Sequence, residues 1–485
     1  MQAMVGSERD GSRPHGNRRG FPASSGDCHM VPVKQTIKTE AECPEGRKGR
    51  DGTVISPLQA RTLYLCYFGL REPLVQTQVL PYLRQLIAAG IEVMLVTFEP
   101  ELRQRWTNEE LSSDRARLAD DGIHWFYLPY HKWPSLPATV YDILAGARLA
   151  SRLIKTQAVG IIHARSHVPA AMGAIAKWAS GGYLIFDIRG FMPEEYTDGG
   201  VWPEGGYLYR LMKAVERRLF ASSDGFVVLT ERARQILFGA NSGRDLRGRP
   251  VEVIPCCIDP ERFRQGNEAS RERLRRELKV EDRRVVIYVG ALGGWYLTDE
   301  MADFMATAHR QDAATYSVIL SQSDPKLITD RLHRRGVAEG DFLVRQVAPA
   351  DVPRYIRAAD IALSFIKSCY SKQSSSPTKI AEYLAGGLPI ICNAGIGDVD
   401  EVVESDGVGF VIREFSEAAY LKALEAVDAL RRRGDLAERC RTSARSRFDL
   451  ERVGGARYRR LYQRLSKREA KHCGNGERSN DRKKS

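Results

Sequence analysis

The chain has 485 residues, of which 43% are hydrophobic and 28% charged, and its net charge at pH 7 is +12. This length is too great for one ordinary hydrophobic core, and it fits two α/β domains of roughly 200 residues each. No run reaches the roughly 18–20 apolar residues that a membrane-spanning helix needs, so we expect no such helix.

The two ends of the chain differ in composition from the rest. Residues 1–58 are rich in Gly, Ser, Arg and Pro and lack apolar periodicity, so we expect a disordered tail without a secretory signal. Residues 467–485 form a second tail, which is basic and for which we also expect disorder. Such basicity suits an anionic substrate, peripheral contact with an anionic membrane surface or nucleic acid, although a solvated tail is the simpler interpretation. Nothing resembles a nucleic-acid-binding module, so we expect no nucleic-acid partner.

The nine cysteines show no CxxC pair and no Cys/His spacing typical of a metal site. Cys66 and Cys392 lie within predicted strands, as reduced cysteines in a hydrophobic core do. We therefore expect a cytoplasmic protein without a bound metal ion.

Strands and helices alternate from Arg61 onward, which is typical of a doubly wound parallel sheet. The pattern predicts a strand at 61–68, a helix from Gln76 to Ala89 and a helix from Tyr141 to Thr156. The loop after the first strand lies at a carboxyl end, where open α/β sheets bind ligands. Gln76 and Gln78 are candidate polar contacts in this loop, and they are equally well explained as helix-capping residues.

Polar side chains follow the ends of two later strands of the first domain. His163, Arg165 and His167 alternate, so they would share one face of an extended segment. Asp187 and Arg189 follow the next strand. Two simpler interpretations remain open: a hydrogen-bonded core histidine at 163, and an Asp187–Arg189 ion pair that only stiffens its loop.

A predicted strand in the second domain ends in a glycine-rich turn. Gly290, Gly293 and Gly294 would let the backbone approach a ligand phosphate there. The spacing is not GxGxxG, so NAD binding is disfavoured.

A short helix is predicted after Ser374. Ser376 is a natural N-cap, Pro377 suits the first helical position, and the helix continues to about Ala385. Lys379 then lies in the first turn, where a cation opposes the helix dipole by roughly 0.3–1 kcal/mol.

The position of Lys379 makes sense if an anion binds at the helix N-terminus. Glu382, three residues later, faces the same way and could accept a hydrogen bond from a neighbouring hydroxyl. An anion beside a diol describes a nucleoside diphosphate and its ribose. The simpler alternative is a solvated lysine with Glu382 as a weak ion partner.

The segment Ser376–Ile391, SPTKIAEYLAGGLPII, resembles the nucleotide-sugar motif of the retaining glycosyltransferases of family 4, also called glycosyltransferase group 1. That family has the GT-B fold, in which two Rossmann-like, doubly wound α/β domains face each other across a cleft. Its Glu-x7-Glu pair flanks the helix start. Glu382 matches the second Glu, which implies a ribose contact, but Ser374 occupies the position of the first. The resemblance covers about residues 60–465.

The resemblance implies a domain organisation. Residues 59–265 would form the acceptor-side domain, 266–448 the nucleotide-sugar-binding domain and 449–466 a helix that crosses back. Residues 183–196 are similar to a DxRG stretch at the interdomain cleft, and 251–263 to the segment that joins the domains.

The resemblance also implies site residues. In the first domain, the predicted catalytic residues are His163, Arg165, Asp187 and Arg189. The residues predicted to bind the donor are Gly290, Gly293, Gly294, Ser375, Ser376, Thr378, Lys379, Glu382, Gly397 and Asp398.

The function that the resemblance implies is transfer of a sugar from a nucleotide diphosphate sugar to a hydroxyl of a glycan or lipid-linked acceptor, with retention of configuration. No metal ion and no cofactor beyond the nucleotide sugar are implied. Two alternatives remain: a nucleotide-sugar epimerase of the same fold, and a non-catalytic donor-binding partner of another transferase, which the missing first Glu leaves open.

Overall fold

The computed structural model describes residues 61–239, 243–264 and 268–466, so the two predicted tails lie outside the described residues. The strands are β1 (Arg61–Cys66), β2 (Glu92–Pro100), β3 (Ile123–Tyr130), β4 (Ile161–Arg165), β5 (Tyr183–Asp187), β6 (Gly225–Val228), β7 (Val251–Val253), β8 (Arg284–Val289), β9 (Thr315–Leu320), β10 (Phe342–Arg345), β11 (Ile361–Ser364), β12 (Ile390–Asn393) and β13 (Gly409–Ile412). They form a seven-stranded sheet, β3-β2-β1-β4-β5-β6-β7, and a six-stranded sheet, β10-β9-β8-β11-β12-β13.

The helices connect successive strands, except for the last three, which follow β13. They are α1 (Pro73–Gln78), α2 (Leu80–Ala88), α3 (Leu102–Arg105), α4 (Asn108–Asp120), α5 (Ser135–Gln157), α6 (His167–Ser180), α7 (Met192–Asp198), α8 (Tyr207–Ser222), α9 (Glu231–Phe238), α10 (Glu261–Arg264), α11 (Glu268–Leu278), α12 (Thr298–Gln311), α13 (Lys326–Arg334), α14 (Val352–Ala358), α15 (Thr378–Ala385), α16 (Val399–Ser405), α17 (Glu417–Arg431), α18 (Leu436–Arg447) and α19 (456–466). A 3-10 turn spans Tyr370–Ser374.

Both sheets are parallel throughout, as the alternation of strands and helices predicts. The inner strands are almost completely buried because helices cover both faces, whereas the edge strands β3 and β10 are partly exposed. In each sheet the strand order reverses beside the first strand, between β1 and β4 and between β8 and β11. Loops at the carboxyl ends of these strands therefore leave a crevice, which is where such sheets bind ligands. The two doubly wound domains are confirmed.

Two linkers connect the domains, and they lie side by side. The amide of Ile258 donates to the carbonyl of Phe448, and the carbonyl of Ile258 accepts from the amide of Leu450. After this bridge the chain returns to the first sheet, where Tyr458 and Tyr462 of α19 are buried in its core.

Several element boundaries differ from the prediction. The helix predicted from Gln76 to Ala89 is two helices, because the backbone turns at Val79 and Pro81 lies in the first turn of α2, where it needs no amide hydrogen. The helix predicted from Tyr141 begins six residues earlier, at Ser135. The crossing helix begins as a π-helical turn, Leu450–Gly455, before α19.

Candidate functional site

Helix α15 begins one residue later than predicted. Pro377 is its N-cap, and no side chain caps the first turn. The prediction that Ser376 caps the helix is wrong: its hydroxyl instead accepts a hydrogen bond from the amide of Cys256, at 3.1 Å. Thr378 is the first helical residue, and Lys379 lies in the first turn as expected.

Lys379 is a buried cation. Its side chain is 8% exposed, and its ammonium donates to the hydroxyl of Tyr288 at 3.2 Å. The ammonium also lies over the rings of Tyr288 and Tyr296, 4.2 and 4.4 Å from their centres. In the described part of the chain no carboxylate lies within 4.0 Å of it. Burial lowers the pKa of Lys379 to about 7, because the charged form loses its hydration.

Gly290 makes room for this ammonium. A Cβ at position 290 would lie 2.7 Å from the Lys379 nitrogen, and the backbone there has a φ of +145°. Gly293 and Gly294 also have positive φ but face open space. The amide of Gly293 donates to the hydroxyl of Thr298, so it is already used within the protein.

Glu382 lies one turn beyond Lys379 and is half-buried. Burial raises the pKa of its carboxyl, although the charges of Arg262 and Lys379 act in the opposite direction. In the described residues no donor is hydrogen-bonded to this carboxylate. It is therefore free to accept from the hydroxyl of a ligand.

The segment before α15 joins the two domains. The hydroxyl of Ser374, which is 2% exposed, accepts from the amide of Phe191 at 3.2 Å. The hydroxyl of Thr230 donates to the carbonyl of Gln373 at 2.8 Å, and the carboxylate of Asp198 accepts from the amide of Ser371 at 2.8 Å. The first domain thus holds this segment in place.

Gly397 and Asp398 belong to the same interdomain contact. The carboxylate of Asp398 accepts from the amides of Glu231 and Arg232, at 2.7 and 3.2 Å, and so caps helix α9 of the first domain. Gly397 has a φ of +49°, and a Cβ there would lie 2.8 Å from the side-chain methyl of Thr230 in the first domain. We predicted donor contacts for both, but the structure uses the carboxylate of Asp398, and the space beside Gly397, to join the domains.

A cavity of about 800 Å³ lies along this contact. It is lined by Thr230, Ser375, Ser376, Ile380 and Asp398, but not by Lys379 or Glu382. Three of the predicted donor residues, Ser375, Ser376 and Asp398, therefore border a different space from the buried cation.

The four predicted catalytic residues meet in the interior of the first domain. Asp187 lies 3.4 Å from Arg189, 3.8 Å from Arg165 and 3.5 Å from His163. Burial alone would raise the pKa of Asp187, but the charge of Arg189, the bond with His163 and the charge of Arg165 hold it well below its usual range.

None of these four side chains has a large exposed surface toward the cleft. His163 and Asp187 have no exposed surface, Arg165 is 3% exposed, and the guanidinium of Arg189 contacts the sulfur of Cys256 at 3.6 Å. His163 lies 3.0 Å from the hydroxyl of Tyr462, and burial lowers its pKa. His163 thus occupies the place of a core histidine, and Asp187 and Arg189 form the alternative ion pair. A direct catalytic role for the four finds no support in this arrangement.

No group of three or more His, Cys, Asp or Glu residues within 61–239, 243–264 and 268–466 is arranged to hold a metal ion. Among the helices of these residues, none has the length and apolar character to cross a bilayer.

Solved structures share this architecture over most of the chain. Sucrose-phosphate synthase from Thermosynechococcus elongatus has a TM-score of 0.65 at 14% identity, covering 84% of this chain and 99% of its own. A glycosyltransferase from Rickettsia africae has a TM-score of 0.62 at 13% identity, covering 84% and 99%. HepE from Anabaena, solved in complex with UDP and glucose, has a TM-score of 0.59 at 14% identity, covering 85% and 100%. At these identities the likeness shows the fold.

Family models match both domains. Residues 75–262 match the model described as Glycosyltransferase Family 4, and residues 283–428 match that described as Glycosyl transferases group 1. Together the two matches span more than half of the chain. The chain carries the two domains of a GT-B glycosyltransferase.

A curated relative matches part of this GT-B chain. Spore coat protein SA of Bacillus subtilis strain 168 is 25% identical over 204 residues, which are 40% of this chain and 52% of that protein. The chain thus spans about half the length of the curated relative it matches.

The GT-B cleft contains an ion pair that we did not predict from the sequence. The Lys372 ammonium lies 4.0 Å from the ring centre of Trp295 and 3.5 Å from the carboxylate of Glu195 on α7. A Cβ at Gly190 would lie 2.8 Å from the same carboxylate. The only sequence signal for this ion pair was the presence of two acidic residues after the Arg-Gly dipeptide. No local pattern could indicate the partner, because the two paired positions are 177 residues apart.

A second residue that we did not predict, Glu99, shapes the first loop. This buried carboxylate, at the end of β2, accepts from the amide of Leu70 at 2.9 and 3.1 Å and from the hydroxyl of Thr97 at 2.5 Å. Burial raises the pKa of the Glu99 carboxyl. Its contacts fix the β1–α1 loop at the edge of the cleft.

Proposed function

We propose that the protein is a retaining glycosyltransferase of family 4 that moves a hexose from a nucleoside diphosphate sugar to a hydroxyl of a glycan or lipid-linked acceptor. The observation that carries the proposal is the buried Lys379 ammonium, which has no carboxylate partner among the described residues and lies in the first turn of an uncapped helix. A buried cation without a counter-ion is costly, so such a position favours a bound anion.

The donor site is built around α15 in this proposal. The diphosphate lies between Lys379 and the N-terminus of α15, and the ribose donates to Glu382, which has no other hydrogen-bond donor in the described residues. UDP and glucose were found in the HepE structure, which has the same fold, and this supports a nucleotide-sugar donor here. The glycine-rich turn from Gly290 to Gly294 lies beside the diphosphate.

Electrostatic stabilisation of the leaving group drives the proposed reaction. As the bond between the sugar and the diphosphate breaks, positive charge develops on the sugar ring and negative charge on the diphosphate oxygen. A preorganised ammonium and uncapped helix amides stabilise that oxygen, and they need no reorganisation during the reaction. Because Lys379 supplies the positive charge, the proposed transfer is independent of a metal ion.

The acceptor approaches from the first domain, whose loops form the other side of the cleft. We propose a hydroxyl on a glycan or on a lipid-linked sugar. A lipid-linked acceptor requires a cytoplasmic protein to work at the membrane surface as a peripheral protein.

Thermal unfolding with UDP, GDP, ADP and dTDP, each with and without a chelator, tests the donor site. We expect one nucleotide to raise the unfolding midpoint by several degrees, with no effect of the chelator. Incubation of the matching nucleotide sugar with a panel of glycan and lipid-linked acceptors then tests transfer. Turnover of the nucleotide sugar without any acceptor would instead indicate an epimerase.

One observation favours a second candidate, a donor-binding protein without transferase activity. Ser374 occupies the position of the first Glu of the family pair, and its hydroxyl holds Phe191 rather than facing a ligand. Binding of the nucleotide sugar without transfer to any acceptor would support this candidate.

A further inference from the structure

Two helices of the first domain, α5 and α8, expose large apolar side chains. Helix α5 packs against α6, and α6 packs against α8. Trp133, just before α5, is 85% exposed, and Tyr207, the first residue of α8, is 80% exposed. The cluster, which we call the docking face, consists of Trp133, Leu136, Val140, Tyr141, Leu144, Tyr207, Leu208 and Leu211.

The spacing on α5 shows that this exposure is organised. Leu136, Val140 and Leu144 recur every fourth residue and share one side of the helix, with Tyr141 beside them. The opposite side of these turns is buried and includes the carboxylate of Asp142. Over its first three turns helix α5 thus has an exposed apolar side in addition to its buried side.

Exposed cations lie on the same two helices as the docking face, both beside it and in the turns beyond it. They are Lys132, Arg148, Arg152, Lys155, Arg210, Arg217 and Arg218, all of them exposed. No ion pair joins any of them to a described residue, whereas Lys213 on α8 is paired with Glu194. Within 132–157, 167–180 and 199–222 the acids are Asp142 and Glu216, which are buried, and Glu204. The exposed surface of α5 and α8 therefore combines an aromatic and aliphatic cluster with an excess of positive charge.

We propose that this face docks on an anionic lipid bilayer. Trp and Tyr side chains favour the headgroup level of a membrane, and leucines beside them bury apolar area among the acyl chains. Arg and Lys on the same helices are attracted to anionic headgroups. A second copy of the chain is a poorer occupant, because pairing through this face would bring the same cations together.

Docking of this face on a bilayer would also orient the cleft relative to the membrane. Helices α5 and α8 follow β3 and β5 and run back from the carboxyl edge of the first sheet, which is the edge that borders the cleft. Trp133, Leu136 and Tyr207 lie at that edge, so the bilayer would meet the acceptor side of the protein. This part of the inference rests on the proposed function, since it assumes a lipid-linked acceptor, whereas lipid binding itself does not.

Cosedimentation of the full-length protein with vesicles tests the docking face. We expect binding to vesicles of phosphatidylcholine with about one third phosphatidylglycerol, weaker binding as salt is raised, and little binding to phosphatidylcholine alone. The double variant Trp133→Ala/Tyr207→Ala should bind the anionic vesicles at least about tenfold more weakly. Trp178→Ala is the matched control, because Trp178 is 89% exposed but lies at the far end of α6.

Unchanged vesicle binding in the double variant, or an equal loss in Trp178→Ala, would overturn the proposal. So would a concentration-dependent dimer of the wild type that the double variant abolishes. The thermal shift with the donor nucleotide, measured on the same variants, separates the two proposals, since a folded variant keeps this shift while it loses vesicle binding.

A measurement on the tryptophans themselves tests the contact directly. Anionic vesicles with brominated acyl chains should quench part of the tryptophan fluorescence of the wild type. That quenching should be lost in Trp133→Phe and retained in Trp178→Phe. Equal quenching in the wild type and in Trp133→Phe would contradict contact at this face.

Discussion

Gly290 leaves the space that the ammonium of Lys379 occupies. A Cβ at position 290 would lie 2.7 Å from the lysine nitrogen and 3.2 Å from the hydroxyl of Tyr288, to which that nitrogen donates. The turn after β8 and the first turn of α15 thus form one unit, although the two positions are 89 residues apart.

Gly290→Ala should therefore displace Lys379 and abolish the stabilisation of the protein by its donor nucleotide. Gly336→Ala is the control, since Gly336 also has a positive φ, of 81°, but faces open space and lies outside the proposed donor site. Both variants should unfold at a lower temperature than the wild type, because alanine is strained at positive φ. A normal nucleotide-induced shift in Gly290→Ala would contradict the coupling between the turn and the lysine.

Glu382→Gln should weaken binding of the nucleoside diphosphate while it leaves binding of inorganic diphosphate unchanged. The carboxylate is proposed to accept from the ribose, which only the nucleoside carries, and a neutral amide is a weaker acceptor. Titration calorimetry with both ligands measures the two affinities. Equal losses for the two ligands would rule out a ribose contact.

Donor binding should take up a proton at about pH 8. Burial lowers the pKa of Lys379 to about 7 in the free protein, so the amine is mostly neutral at that pH. A bound diphosphate favours the ammonium and raises this pKa, so affinity is greatest near or below pH 7 and falls as the pH rises. Calorimetry in buffers of different ionisation enthalpy measures the uptake, which should vanish in Lys379→Met.

Asp187→Asn should destabilise the protein by about 3–5 kcal/mol, because it leaves Arg165 and Arg189 buried without their counter-ion. Asp121→Asn removes the carboxylate of an exposed Asp–Arg pair and should cost at most about 1 kcal/mol. Chemical denaturation gives both values. If Asp187→Asn kept full stability but lost sugar transfer, a catalytic role would replace the structural one.

The sequence predicts the fold well because local patterns carry it. Buried runs such as β8 and the glycines that follow them identify strands and their carboxyl ends without any distant information. Lys379 also stood out locally, since a cation in the first turn of a helix opposes the helix dipole. Its burial against the rings of Tyr288 and Tyr296 agrees with the expectation that this lysine has an unusual environment.

Contacts between distant segments explain what the sequence did not predict. Asp398 looked available for a ligand because no group near it in sequence needs a carboxylate. In the structure, its carboxylate binds the N-terminus of α9, which is 167 residues away in the chain. Ser376 has the residue type of an N-cap, yet it faces the amide of Cys256 in the linker. The His163–Asp187 contact likewise depends on the pairing of β4 with β5. Polar residues at a domain boundary therefore resemble ligand contacts in sequence.

Titration calorimetry of the wild type and Lys379→Met with the nucleoside diphosphate that gives the largest thermal shift tests the central claim most directly. The claim predicts that loss of the buried charge weakens binding by about 1–3 kcal/mol. Lys422→Met, which removes an exposed charge on α17, should bind as the wild type does. An unchanged dissociation constant in Lys379→Met would contradict the assignment of this lysine to the donor diphosphate.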